Sequence, residues 1–136
     1  MRIAICSSMV FSEKILKTKK ELEAMGHEVL MPNFVNAYLG KDEKEKERLT
    51  KYHKNEKDAI RAYWGEIQKS DAILVLNYTR RGIENYIGGN VLMEIGFAHV
   101  LGKKVILMNP IPEIEYYKSE IEAVKPVIIN SDLKKI

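Results

Sequence analysis

One cysteine, Cys6, stands in a chain of 136 residues, so no internal disulfide staples the fold. Three histidines, His27, His53 and His99, are scattered without the Cys/His spacing of a zinc site, and neither a metal nor a cofactor is expected. No apolar run approaches the roughly 18 residues that a membrane span needs. The opening residues Met1–Cys6 hold one basic side chain and a β-branched run that breaks at Ser7-Ser8, unlike a signal peptide. A cytoplasmic protein with no membrane partner is expected. Charge of one sign is also missing: 22 basic and 19 acidic residues intermix to a net +3, with no basic stripe for a nucleic-acid duplex. A small anionic ligand suits this balance better. Repeats, linkers and low-complexity segments are absent, so residues 1–136 are expected to form one domain. A single glutamine, Gln68, amid abundant Lys, Glu and Ile leans toward a thermophilic source.

The residues that are present alternate between short apolar runs and helical patterns. Ile3–Cys6 reads as a first strand, and Ile15, Leu16, Leu22 and Met25 place a helix near residues 12–25 that Gly26 ends. Glu28–Met31, closed by Pro32, is a second strand, which completes a βαβ opening. Residues 41–57 are almost all charged, with Leu49 and Tyr52 the apolar exceptions. They predict a solvated helix or a mobile excursion, with a lid over a site as the sharper alternative. Tyr52, Glu56, Ala59, Tyr63 and Ile67 fall at helical spacing and predict one continuous helix to about Lys69, that stripe facing the sheet. Ala72–Leu76 is a continuous apolar run, as a central parallel strand requires. A polar loop over 77–87, an apolar helix opening at Gly88-Gly89, a strand Lys104–Met108, a short helix within 113–124 and an edge strand at 126–129 follow. The expected fold is α/β: a doubly wound, five-stranded parallel sheet in the flavodoxin-like order 2-1-3-4-5, with helices on both faces.

In that order the winding reverses between the first and third strands, and ligands of open α/β sheets sit outside the carboxyl ends there. Ser7 and Ser8 leave the first strand at this point, and residues 77–89 leave the third. Glu94 is the one carboxylate in the apolar stretch Gly88–Leu101. Burying it unpartnered costs several kcal/mol, so the chain neutralises it, pairs it or uses it; use is the expectation, a loop-fixing role the alternative. Gly88 and Gly89 permit close backbone approach, Asn90 is placed to cap the helix, and the helix end is expected to hold Glu94 ionised. Such a carboxylate is a competent nucleophile or oxocarbenium stabiliser. Ser7 and Ser8 can bind a phosphate or merely cap a helix. No histidine accompanies them, which leaves a Ser-His-Asp hydrolase unsupported. Asn77 stands where a receiver domain carries its phosphorylated aspartate, and the first loop lacks a flavodoxin's phosphate cradle. His99, about 140° round the helix from Glu94, is expected as a satisfied core histidine.

The strings Ser70-Asp71-Ala72-Ile73-Leu74-Val75-Leu76 and Gly88-Gly89-Asn90-Val91-Leu92-Met93-Glu94-Ile95-Gly96-Phe97-Ala98 resemble the nucleoside 2-deoxyribosyltransferase superfamily, whose relatives include the 2′-deoxynucleoside 5′-phosphate N-hydrolases. The Glu-x-Gly-x-Ala helix is the most specific part. The resemblance implies that Glu94 attacks the anomeric carbon to form a glycosyl-enzyme ester, resolved by water or another base, and that Ser8 binds the 5′ end of a nucleotide. It implies a small-molecule nucleoside or nucleotide as partner and a homodimer or higher homo-oligomer. The expected substrate-binding set is Ser7, Ser8, Asn77, Tyr78, Gly88, Gly89, Asn90 and Tyr63, with Asn77 or Tyr78 near the base. The chain departs from the pattern at three points: Tyr63 stands in place of an aspartate on the helix before strand three, Ala4 in place of an aromatic, and Gly88 in place of a serine. A nucleotide-binding sensor that breaks no bond is the alternative function, and an NAD glycohydrolase a more distant one.

Overall fold

A computed structural model describes all of residues 1–136. Five strands, β1 (Arg2–Cys6), β2 (Glu28–Leu30), β3 (Ala72–Val75), β4 (Lys104–Leu107) and β5 (Val127–Ile128), form one parallel sheet in the order β2-β1-β3-β4-β5. The expected doubly wound architecture is therefore observed. β1 lies between β2 and β3: Ile3 pairs with Val29 on one side and with Ala72 on the other. β1 ends at Cys6 as expected, whereas β3 and β4 end one residue earlier than their apolar runs suggest, although Leu76 N–H still donates to Cys6 C=O and Met108 N–H to Val75 C=O, both at 3.0 Å.

Alternation along the strands builds two cores. Ile3, Ile5, Leu74 and Ile106 face α1 (Ser12–Ala24), where Ile15 and Leu22 meet them. Ala4, Cys6, Ile73, Val75 and Val105 face the opposite layer, made of α3 (Ala59–Lys69), α4 (Gly89–Val100) and α5 (Lys118–Ala123). Each large aliphatic side chain sealed this way contributes about 1.5–3 kcal/mol of transfer free energy, which is why the unbroken β3 run tolerates only a central position.

The single helix expected to run to Lys69 is instead two. α2 (Glu43–Glu56) stops at Lys57, and Asp58 takes a left-handed conformation (φ 46°) before α3 begins. Of the expected stripe, Tyr63 and Ile67 are buried, whereas Tyr52 and Glu56 lie in solvent. The physical reason is composition: α2 has too little apolar surface to pack on the sheet, so the chain turns at Asp58 and only α3 docks there. Two further expectations fail around α4. Gly88, in extended backbone, occupies the cap position, and Asn90 sits inside the first turn with its buried Oδ1 unpartnered. His99 is exposed in the last turn rather than in the core.

Asn77 ties the loops after β3 and β4 together. Fully buried, it donates from Nδ2 to Asn109 C=O (2.9 Å) and Pro110 C=O (3.0 Å) and accepts at Oδ1 from Asn109 N–H (2.9 Å). Asn109 returns a side-chain bond to Asn77 C=O at 3.0 Å. Replacing Asn77 with Ala strands these groups out of water, and the expected loss is about 2–3 kcal/mol in urea unfolding. A change within about 0.5 kcal/mol would show that water takes over the freed groups.

Candidate active site

A cavity of about 390 Å³ opens outside the carboxyl ends of β1, β2 and β3, at the reversal of winding. β1 delivers Ser7 and Ser8 to its floor. Ser8 Oγ accepts from Val10 N–H at 3.3 Å and caps the 3-10 turn Met9–Phe11, while Ser7 Oγ lies 3.0 Å from Ser8 C=O. The chain leaving β2 supplies Pro32, Phe34 and Tyr38, and α3 supplies Ala59 and Tyr63. The β3–α4 loop supplies Arg80, Tyr86 and Gly88. α4 supplies Gly89, Asn90, Val91 and Glu94. α2 crosses the mouth with Glu47, Thr50, Lys51, His53 and Lys54. The charge run read as a solvated face is therefore also a roof.

Arg80 is placed by a two-residue hairpin turn. Arg80 and Ile83 exchange backbone hydrogen bonds (3.0 and 2.9 Å), and the intervening Arg81 and Gly82 have φ of 52° and 75°, as a primed turn demands. Its guanidinium, 11% exposed, donates to Ser8 Oγ (3.3 Å) and pairs with Glu43 (3.1 Å) and Glu47 (2.8 Å). Arg81 pairs with Glu47 as well. This end of the cavity is cationic and already occupied by carboxylates from α2.

Glu94 is 6% exposed, in the second turn of α4. Loss of water pushes its carboxyl from 4.5 to about 8, and the hydrogen bond from the Cys6 thiol lowers it only partly. The expected depression by the helix end does not win, because that field fades within the first turn and Glu94 lies beyond it. The neighbours follow the same rule. Burial, then Glu94 itself, raises the Cys6 thiol, and burial raises the Tyr63 phenol, which donates to Ile5 C=O. In the empty cavity at neutral pH all three groups hold their protons. The acid can then give a proton or, once ionised, attack as a base-strong carboxylate that no cation quenches.

Glu94, Ser7, Ser8, Tyr63, Gly88, Gly89 and Asn90 line this one cavity, as the sequence suggests. Asn77 and Tyr78 do not. Asn77 is the loop tie described above, and Tyr78 packs edge-on against Phe11 (centroids 5.5 Å apart) beneath the Lys14 ammonium (4.4 Å). Gly88 lies tightly against Tyr86, where a Cβ would come within 3.0 Å of the phenol oxygen; Gly89 faces open space. Sequence reasoning missed Arg80, Phe34, Tyr38 and His53. The available signal was polar: Lys46, Thr50 and His53 repeat at helical spacing, marking an inward face without an apolar stripe. No group of three His, Cys, Asp or Glu side chains gathers to hold a metal, and no helix is long and apolar enough to cross a membrane.

No protein-family profile and no curated protein matches the chain. Solved structures do share its fold. A 2-deoxyribosyltransferase from Bacillus psychrosaccharolyticus superposes with a TM-score of 0.57 at 17% identity, covering 99% of this chain and 95% of the other. The Clostridium botulinum CMP N-glycosidase BcmB gives 0.52 at 22% identity, covering 96% and 89%. The flavoenzyme NAD(P)H:acceptor oxidoreductase FerB of Paracoccus denitrificans gives 0.50 at 13%, covering 95% and 75%. At such identities the likeness is one of fold.

The displaced acid makes stability depend on pH. A carboxyl at 4.5 when unfolded and about 8 when folded contributes stability that is complete below 4.5 and is lost as pH rises through 8. Glu94→Gln cannot ionise, so its stability relative to wild type is expected to climb by a few kcal/mol between about pH 5 and about pH 9 in urea titrations. A constant difference across that window contradicts the displaced acid.

Proposed function

We propose that the protein belongs to the nucleoside 2-deoxyribosyltransferase superfamily and cleaves or exchanges the N-glycosidic bond of a nucleoside or nucleoside 5′-monophosphate. The observation that carries this reading is the one acid of an apolar helix, Glu94, lining the cavity where the sheet's winding reverses. The two fold relatives named for nucleoside chemistry support it. In the proposed reaction a carboxylate oxygen of Glu94 bonds to C1′ as the C1′–N bond breaks. The electron pair leaves with the base, which takes a proton from solvent. Water or an incoming base then attacks C1′, the ester bond breaks, and the carboxylate returns.

The cavity's ends suit the parts of such a ligand. Ser8, the Arg80 guanidinium and the N–H groups of Gly89 and Asn90 suit a phosphate or ribose hydroxyl, a phosphate displacing Glu47 from Arg80. Phe34 suits the base. A second reading, a sensor that binds without cleaving, is favoured by one observation: Glu94 holds its proton at neutral pH, with Tyr63 where the resembling enzymes place an aspartate. Incubation with a nucleotide panel separates the two. Free base in solution marks an enzyme, whereas thermal stabilisation by a nucleotide recovered intact marks a sensor.

We further propose a homo-oligomer, since α3 and α4 leave Trp64, Met93 and Val100 in solvent beside one another's helices, Val100 at 85% exposure. Wild type is expected to sediment as a dimer or larger, and the double substitution Met93→Lys, Val100→Lys as a monomer; a monomeric wild type removes the proposal.

For catalysis the expected signature is a loss of at least about a hundredfold in turnover for Glu94→Gln, with the fold retained. Wild-type kcat/KM is expected to rise with pH and level off above about 8. Cys6→Ala removes the one group that lowers the acid and moves that midpoint upward. Chromatographic assay of released base checks all three, and equal activity of wild type and Glu94→Gln rejects the nucleophile.

A further inference from the structure

Glu47, on α2, meets the cations of the cavity through one atom. Its Oε1 accepts from Arg80 Nη2 (2.8 Å) and from Arg81 Nη2. The rest of the Arg80 guanidinium is fixed by other groups: Nε donates to Glu43 (3.1 Å), Nη1 donates to Ser8 Oγ (3.3 Å), and the Tyr86 ring lies 5.5 Å from the guanidinium carbon. Without Glu47 the guanidinium is still held in place, with Nη2 unspent. Ser8 Oγ accepts from Arg80 and from Val10 N–H (3.3 Å), so both lone pairs are used and its own proton is left for a ligand.

Charge along the lining is lopsided. Arg80, Arg81, Lys51 and Lys54 face two carboxyl groups, Glu47 and Glu94, and Glu94 holds its proton at neutral pH. A neutral nucleoside leaves this excess of positive charge unanswered, whereas a phosphomonoester dianion matches it. The oxygen count favours the dianion too. One carboxylate oxygen serves two guanidiniums, but the three terminal oxygens of a phosphate give each guanidinium and the Ser8 hydroxyl an acceptor of its own.

We propose that Glu47 is an internal stand-in for a phosphate: it occupies the Arg80–Arg81 site in the empty protein and gives way to the phosphomonoester of a nucleoside 5′-monophosphate, so that these three residues set a preference for nucleotide over nucleoside. This exchange rests on the nucleoside reading above, which it narrows to the phosphorylated ligand. It needs only a side-chain rotation. Lys46 holds α2 to Glu13 (2.7 Å) and His53 stacks on Phe34 with ring centroids 4.1 Å apart, so the helix stays over the cavity while the Glu47 side chain, 33% exposed, turns out to solvent.

Calorimetric titrations of Glu94→Gln protein, which leaves ligands intact, compare the four common nucleoside 5′-monophosphates with their nucleosides. The best-bound monophosphate is expected to bind at least about tenfold more tightly than its nucleoside. Adding Glu47→Gln, which keeps the size of the side chain and removes its charge, is expected to tighten the monophosphate about three- to tenfold and to leave the nucleoside within about twofold. Adding Arg80→Met is expected to erase the preference, and in that background Glu47→Gln is expected to change nothing further. Arg81→Asn, which suits the left-handed backbone there, is expected to weaken the monophosphate about threefold and serves if Arg80→Met does not fold. A role for Glu47 in pinning α2 alone shifts both ligands together. An equal shift, no shift, or a nucleoside bound as tightly as its monophosphate therefore overturns the exchange and leaves the nucleoside reading intact. Binding of neither ligand overturns both. Base release by wild type with equal kcat/KM on nucleoside and monophosphate overturns the exchange alone.

Discussion

A carboxylic acid held out of water without a cation to pair it is the constraint around which this molecule is organised. Ordinary folding removes such a group, since any apolar residue at position 94 would seal α4 against β1 and β3 at no electrostatic cost. The chain instead supplies one thiol, from Cys6, and leaves the acid at about 8. That arrangement is unfavourable to stability above neutral pH and useful to chemistry, because an acid that ionises reluctantly is a stronger nucleophile when it does. Beside it in the cavity Tyr63 holds its proton, and Arg80 is already paired with Glu43 and Glu47.

The charge at the mouth follows from the same constraint. Lys46, 4% exposed, reaches under α2 to donate to Val10 C=O (3.2 Å) and to Glu13 (2.7 Å), and it holds the Glu13 carboxyl down to about 2. Glu43 and Glu47 take up Arg80 and Arg81 on the same helix. These pairs keep the cationic side chains away from Glu94 and bind α2 over the opening. A helix with almost no apolar face is thus fixed by ion pairs at its N-terminal half and by the His53 stack at its C-terminal half.

What could be read from residues alone divides along physical lines. β3 was legible because Ala72–Val75 is apolar at every position, and that has one stable home, the middle of a parallel sheet. Glu94 was legible as a lone charge in an apolar helix. The break at Asp58 was not, because helical spacing continues unchanged across a residue that merely re-aims the axis. Asn77 was misplaced for a related reason: an amide after a strand at the switch point serves equally to bind a ligand or to tie two loops, and only the position of Asn109 decides. The roof was hidden because polar residues facing a polar cavity leave no hydrophobic period to find.

Tyr63 sharpens the comparison with the enzymes the sequence resembles. An aspartate beside a glutamate raises the glutamate's pKa by like-charge repulsion, a long-range effect that itself requires a second ionised group in the site. Tyr63 has no charge to offer: its hydroxyl is spent on Ile5 C=O at the end of β1, fixing the strand from which Cys6 meets Glu94. Here the displacement of Glu94 comes from desolvation first. The two routes reach an elevated acid by different physics. A desolvated acid is insensitive to salt, and its elevation vanishes when water enters.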